Sequence, residues 1–276
     1  MIWVNGINVV NQAPDSNRIA RAFESVDFKV VVDAFMNDTA QLADLVLPST
    51  LMLEQEDIIG SYMHEYVQHV RPVLDPPAEA RNDMWILSEI GKRLDPPILL
   101  PDTETCLRNS LEHPCLEVSL EELRQKGCAR ADRPAVAYAD MTFDHQDGKY
   151  RFPAALHPQP AAGPQYPLQL LTLVRRNAIH SQILPEDQEQ LSRAWVAPDN
   201  PLLPGIDREK DIYLSSSLGR LKIALQIMPG LHPGVVLYRR GDWMNRGGGI
   251  NQLISAGITD LGSGAPFYDQ QVRLEN

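Results

Sequence analysis

The sequence predicts an α/β portion followed by a mainly β portion, and three observations carry that prediction. Val30, Val31 and Val32 run without polar interruption, as in a parallel-sheet strand covered on both faces. Strand-like and helix-like segments alternate through residues 1–100, the pattern of a parallel sheet flanked by helices. From Leu168 the period changes to two: Leu221, Ile223, Leu225 and Ile227 alternate with Lys222, Ala224 and Gln226. Gly219, Pro229-Gly230 and Pro233-Gly234 punctuate this second portion, which fits a small barrel or sandwich.

Taken in order, Met1 to Asn5 opens as a strand-like apolar run, and Asp15 or Ser16 caps a helix that places Ile19, Ala20 and Phe23 on one face. A strand over Lys29 to Val32 ends at Asp33. Asn37 or Asp38 then caps a short helix over Thr39 to Ala43, and a strand follows over Leu45 to Leu47. Ile86, Leu87, Ile90 and Leu94 fall at helical spacing after Asp83, and Asp95-Pro96-Pro97 stops that helix because proline cannot continue it. Ser119 caps a helix with a glutamate-rich first turn, Ser119 to Arg124. The stretch Ala154 to Pro167, with Pro158, Pro160, Pro164 and Pro167, reads as an extended linker at a domain boundary. Leu168 to Val174 and Ile212 to Leu214 begin the β portion.

A chain of 276 residues can bury the cores of two domains. A formal net charge of −11 argues against a nucleic-acid partner, which needs a basic face. Cys106, Cys115 and Cys128 lack the C-x-x-C spacing of a zinc or iron–sulfur site and are odd in number, so they read as reduced thiols. There is no basic start followed by an apolar core and no apolar run long enough to span a bilayer. A cytoplasmic location is the default expectation, with an export signal on a preceding part as its exception. The chain begins directly with a strand, which suggests that further domains come before it.

Asp33 sits where ligands bind in open α/β sheets, beyond a strand's carboxyl end, and reads equally as a ligand contact or a turn cap. Around it the string V-V-x-D-x-F-x-x-x-T-A-x-x-A-D-x-V-L-P joins a set of motifs in fixed order. Gly6-Ile7-Asn8 and Pro14-Asp15-Ser16 come before it; Leu53-Glu54-Gln55-Glu56 and Pro77-Ala78-Glu79-Ala80-Arg81 come after it. Ile250-Asn251-Gln252-Leu253, Gly264-Ala265-Pro266-Phe267-Tyr268 and Val272 close the series. In this order, with a gap between about Leu100 and Tyr166, the set resembles the third and fourth domains of the molybdopterin oxidoreductases, the dimethyl sulfoxide reductase, nitrate reductase and formate dehydrogenase group.

The resemblance implies a Rossmann-like parallel α/β segment followed by a double-psi β-barrel domain of six strands. It divides the chain into 1–100, a connecting segment 101–165, and a dinucleotide-binding barrel 166–276. It implies the C-terminal part of an oxidoreductase that binds and orients a bis(molybdopterin guanine dinucleotide) cofactor carrying molybdenum or tungsten. The metal would be held by missing N-terminal domains, with no iron–sulfur cluster on this chain. The implied partners are those domains and electron-transfer subunits, with no nucleic acid and no direct membrane insertion.

Carried over by position, the family's cofactor contacts fall on Asn8, Val32, Asp33, Gln55, Asp83, Thr172, His180, Ser181, Trp243, Asn251 and Tyr268. Asp33 and Asp83 suit guanosine, since carboxylates accept from ribose hydroxyls and guanine N–H groups; Asp83 equally reads as an ordinary helix cap. Gln55 and Tyr268 replace lysines of some relatives, which leaves hydrogen bonding without charge assistance. Arg175, Arg176, His180 and Ser181 are the polar groups of a loop that relatives place over the pterin. Gly247-Gly248-Gly249 lacks the strand–turn–helix setting of a phosphate cradle and reads as a flexible loop. A separate module binding the cofactor or guanine nucleotide is the second reading. A hydrolase built on Ser181 and His180 is the third, disfavoured because neighbours on a strand face opposite ways.

Overall fold

The computed structural model describes residues 1–158, 161–188 and 191–276, so Pro160 of the proline-rich stretch lies outside the described residues. By compactness the chain divides into two units, residues 1–31, 35–46 and 153–276 forming one and residues 32–34 and 47–152 the other. The architecture is mixed α/β with a parallel sheet and a closed barrel.

The first elements are β1 (Ile2–Asn5), α1 (Val9–Gln12), α2 (Ser16–Glu24), β2 (Lys29–Asp33), α3 (Asp38–Gln41) and β3 (Leu45–Pro48), and the strands lie in the order β1-β2-β3. Val31 and Val32 are fully buried, as the uninterrupted valine run requires of a central strand. Of the two capping candidates in each pair, Asp15 caps α2 by accepting from the Arg18 amide, and Asn37 caps α3 by accepting from the amides of Thr39 and Ala40. Because the Asn37 carboxamide serves the helix end, the Asp38 carboxylate is left for another task.

The second unit contains β4 (Asp57–Ile59), β5 (Tyr66–Val70), α4 (Asp83–Gly91), α5 (Thr103–Ser110), α6 (Leu120–Lys126) and β6 (Cys128–Arg130). Its antiparallel sheet β4-β5-β6 packs Ile58, Val67 and Ala129 on Leu107, Leu111, Leu120 and Leu123. Arg124 ties the pieces together, donating to Glu56 at 2.7 and 2.9 Å and to Glu104 at 2.6 and 3.2 Å, while His69 meets Glu56 at 2.6 Å. These bonds hold the Glu56 carboxyl below the usual glutamate range, Arg124 first among the causes. Ser119 caps α6 reciprocally with Glu122, as its sequence position predicts.

Two expectations about α4 are corrected. The helix cap is Asn82, whose Oδ1 accepts from the Trp85 amide at 2.7 Å, so Asp83 is the first helical residue and not the cap. The helix also ends at Gly91, short of the prolines, where the Ile98 amide returns to the Gly91 carbonyl at 2.9 Å. Removing the cap by Asn82→Ala should cost about 1 kcal/mol in urea unfolding, whereas Asp83→Ala should cost a few tenths. Equal losses would show that the cap assignment is wrong.

The barrel is built from β7 (Leu168–Leu173), β8 (Arg193–Val196), β9 (Ile212–Ser216), β10 (Gly219–Ile227), β11 (Val235–Arg239) and β12 (Gln271–Glu275). Among the described residues these six close in the order β10-β8-β11-β7-β12-β9, with β8 parallel to β10 and β7 parallel to β11. Leu168, Leu170, Ala194, Val196, Leu214, Val236, Tyr238 and Val272 fill its interior, each with essentially no exposure. Fully burying such a leucine or valine is worth roughly 1.5–3 kcal/mol before the entropy of ordering it is subtracted.

Candidate functional site

The first unit joins its α/β elements to its barrel through hydrogen bonds that span most of the sequence. The Asp38 carboxylate accepts from the backbone amides of Met244 at 3.0 Å and Asn245 at 2.8 Å, and from the Asn8 carboxamide at 3.3 Å. Asn8 is otherwise engaged with Thr39, whose amide and hydroxyl donate to Asn8 Oδ1 at 3.1 and 2.9 Å. All its side-chain groups therefore work inside the protein, bracing the loop after β1 against α3.

Deeper in the same unit, Asn11 donates to the Asp242 carbonyl at 2.8 Å. The Asn251 carboxamide donates to the carbonyls of Asn11 at 2.8 Å and Gln12 at 2.9 Å. These residues, with His180, Arg240, Gly241, Gly249, Ile250 and Phe267, wall a cavity of about 160 Å³. Its polar wall is incompletely satisfied. Asn251 Oδ1, Arg240 Nε and Asp242 Oδ1 are buried without a hydrogen-bond partner among the described residues. Leaving such groups unpaired costs about 1–3 kcal/mol each, so a concave site that retains several is suited to a polar ligand that completes them.

Asp242 anchors this wall and has no counterpart among the residues singled out from sequence. Its Oδ2 accepts from the hydroxyls of Ser192 and Tyr238, and Arg175 approaches Oδ1 at 3.7 Å, an ionic but not a hydrogen-bonding distance. Burial pushes the Asp242 carboxyl above the usual aspartate range against the pull of Ser192, Tyr238 and Arg175. Burial, followed by the neighbouring Asp242 charge, likewise lifts Tyr238 well above an ordinary phenol.

The glycine run beside Asp242 has a steric reason. A Cβ on Gly248 would fall 2.1 Å from Asp242 Oδ2, so the backbone reaches the carboxylate only without a side chain. Gly248 and Gly249, read from sequence with Gly247 as a flexible loop, are buried and closely packed, and the run links two short 3-10 turns, Met244–Arg246 and Ile250–Leu253.

His180 and Asn251 are thus brought together at the cavity. Ser181 and Trp243 stand behind its wall: Gln12 donates to the Ser181 hydroxyl at 2.7 Å, and the Trp243 indole donates to the Ser181 carbonyl at 2.8 Å. His180 and Ser181 lie in a turn and not on a strand, with His180 at φ 50°, so the opposed-faces argument does not apply to them. The Ser181 hydroxyl instead takes its proton donor from Gln12. Thr172 is fully buried in β7, its Oγ1 without a partner among the described residues. Tyr268 is half exposed, with the Arg240 guanidinium 5.8 Å from its ring and 5.2 Å from that of Phe267.

In the second unit Val32 is buried, and the Asp33 carbonyl accepts from the Ser49 amide at 3.4 Å. Gln55 accepts from the Thr50 hydroxyl at 2.6 Å and lines a hollow of about 470 Å³ with Glu54, Arg81, Asn82 and Trp85. The Arg81 guanidinium lies 5.6 Å from the centre of the Trp85 ring. Asp83 neighbours this hollow in sequence through Asn82 but is not part of its wall. Asn11, Arg240 and Asp242 at the cavity, and Asn82 and Trp85 at the hollow, are lining residues that sequence reading did not single out.

Among the described residues no group of three or more histidine, cysteine, aspartate or glutamate side chains is placed to hold a metal ion, and no helix is long and apolar enough to cross a membrane.

Residues 1–93 match the family model described as molybdopterin oxidoreductase. Over the whole chain the sequence is 31% identical to the probable oxidoreductase YyaE of Bacillus subtilis, covering 100% of this chain and 45% of that protein. It is 24% identical to the dimethyl sulfoxide reductase DmsA of Escherichia coli, covering 100% of this chain and 41% of that one. A stretch of 93 residues is 45% identical to a nitrate reductase of Symbiobacterium thermophilum, covering 34% of this chain and 12% of the other. In fold the chain is similar to acetylene hydratase from Pelobacter acetylenicus, with a TM-score of 0.78 at 18% identity over 99% of this chain and 43% of the other. The chain spans less than half the length of these relatives.

Proposed function

From the homology of this chain to the molybdopterin oxidoreductases, we propose that it is the C-terminal, cofactor-binding part of such an enzyme. The cofactor in this reading is bis(molybdopterin guanine dinucleotide), and the barrel, with its two parallel strand pairs, is of the double-psi type. The observation that carries the proposal is the cavity whose wall keeps Asn251 Oδ1 and Arg240 Nε buried and unpaired. An amide oxygen and a guanidinium N–H are an acceptor and a donor of fixed direction, suited to the polar edge of a pterin. A volume of about 160 Å³ accommodates one ring system and not a dinucleotide, so this cavity serves the pterin end alone.

Taken by itself, the second unit has a hollow beside Gln55, where Trp85 supplies an aromatic face and Glu54 and Gln55 supply acceptors, a setting suited to a guanine nucleotide. Asp33 and Asp83 remain ribose or guanine contacts in this reading. His180 and Tyr268 border the pterin, while Asn8, Thr172, Ser181 and Trp243 shape its surroundings; Val32 contributes through its backbone. When bound, the metal–dithiolene group supplies the redox chemistry, and its protein ligand would come from other domains. This chain's part is to bind, orient and exclude water: Asp242, set in place by Ser192 and Tyr238, accepts through its carbonyl from Asn11 and so holds the wall on which Asn251 rests. The partners are the remaining domains of the enzyme and its electron-transfer subunits.

The chain expressed together with the rest of its enzyme in a cofactor-producing host should release molybdenum or tungsten and GMP on denaturation. A folded protein releasing neither would overturn the proposal. Submicromolar binding of GMP by the chain alone would instead support a separate guanine-nucleotide module.

A further inference from the structure

The barrel carries a second polar site on its outer face, away from the groups used above. β9 lies between β10 and β12, and its register sets Ser215 level with Arg220 on one side and Arg273 on the other. Cross-strand partners present their side chains to the same face, so the three residues form a row. Their strand neighbours Leu214, Leu221, Val272 and Leu274 fill the barrel interior, which turns the row outward.

Arg220 and Arg273 are exposed, but Ser215 between them is only 7% exposed, and its Oγ is buried without a hydrogen-bond partner among the described residues. A hollow of about 450 Å³ lies at the row, with Gln165, Tyr166 and the Ser216–Gly219 turn in its wall. Arg220 is steadied by the Tyr213 ring, 4.6 Å from the guanidinium, and Arg273 by Glu275, 3.4 Å from its Nε. Two guanidiniums face one carboxylate here, and the nearby Lys222 is already paired with Asp211 at 2.6 Å. An excess positive charge flanking an unsatisfied hydroxyl is relieved by an anion with several acceptor oxygens. Arginine forks match tetrahedral oxyanions, and a charge-assisted bond from a serine hydroxyl to an anionic oxygen is about twice as strong as a neutral one.

We propose that Arg220, Ser215 and Arg273 form a binding site for a phosphate group, either inorganic phosphate or the end of a small phosphate ester. The site is independent of the cofactor reading and stands or falls separately from it.

The test follows the side-chain Nε–H NMR signals of Arg220 and Arg273 in the full chain during titration with inorganic phosphate, glycerol 3-phosphate or acetate. Saturable shifts with a dissociation constant on the order of 1 mM are expected for the phosphates and not for acetate. Tighter binding of glycerol 3-phosphate would assign the ester, and tighter binding of inorganic phosphate the free anion. Arg220→Gln and Arg273→Gln should each weaken binding about tenfold, a change of ~1.4 kcal/mol. Ser215→Ala removes a buried hydroxyl without a partner among the described residues, so it should weaken phosphate binding severalfold without lowering the melting temperature. Absence of a saturable shift, equal response to acetate, or undiminished binding in a folded Ser215→Ala variant would each overturn the proposal.

Discussion

Gly241→Ala should destabilise the first unit by about 3–5 kcal/mol, among the largest effects available to a single methyl group. Gly241 adopts φ +108°, a conformation that L residues avoid, and strain of this kind costs about 1–3 kcal/mol. A Cβ there would also lie 1.8 Å from the His180 carbonyl oxygen and 3.0 Å from its carbon. Backbone cannot swing aside as a flexible side chain can, so either the His180 turn or the Gly241 segment must shift. Both line the cavity, so the same change should alter its shape as well as lower stability. Urea unfolding of the variant checks the first consequence; a loss below about 1 kcal/mol would mean that the turn is less constrained than its geometry requires.

Asp242→Ala should cost a similar amount, about 3–5 kcal/mol, for an electrostatic reason. The substitution orphans the Tyr238 and Ser192 hydroxyls and removes the carboxylate opposite Arg175. Arg175 retains 30% side-chain exposure, which moderates the penalty for its unpaired charge. Asp242→Asn, which keeps an acceptor for the hydroxyls, should recover most of the loss.

The two variants also separate charge from hydrogen bonding through pH. Because burial raises the Asp242 pKa in the folded state, the folded protein holds the proton more tightly than the unfolded chain does. That contribution is fully present below the ordinary aspartate value of 3.8 and is lost as pH rises through the raised folded value. The stability of the native protein relative to Asp242→Asn should therefore decline across that window. A relative stability that rises with pH there would show that Arg175 and the hydroxyl donors outweigh burial.

The fold was legible where one local signal sufficed. The valine run before Asp33 could be only a buried strand, and Asn37, Asp15 and Ser119 cap the helices they precede. β8, β11 and β12 escaped notice because each is only four or five residues long. Their identity comes from barrel neighbours remote in sequence, as when Val236 of β11 pairs with Leu170 on one side and Val196 on the other. The sheet β4-β5-β6 was hidden likewise, since its core is completed by leucines from α5 and α6.

Motif matching singled out His180 and Asn251, which line the cavity, and also Asn8 and Trp243, which do not. Asn8 and Trp243 sit at matched positions, yet their side-chain bonds run to the protein itself. Asp242, within the charged string Arg239-Arg240-Gly241-Asp242, resembles a surface turn in sequence. Its burial follows from Tyr238 and Ser192, which no local pattern connects to it.

The bonds from Asn251 to Asn11 and Gln12 join residues about 240 positions apart, and they fix when the cavity can come into being during synthesis. At ~5–20 residues per second, a ribosome needs on the order of 10–50 s to travel from one wall of the cavity to the other. The barrel must wait further for β12, which lies between β7 and β9 and leaves both with an open edge until it arrives. Any ligand that depends on this wall is therefore received only once the barrel segment has been made, and cannot act as a template for the folding of the first strands.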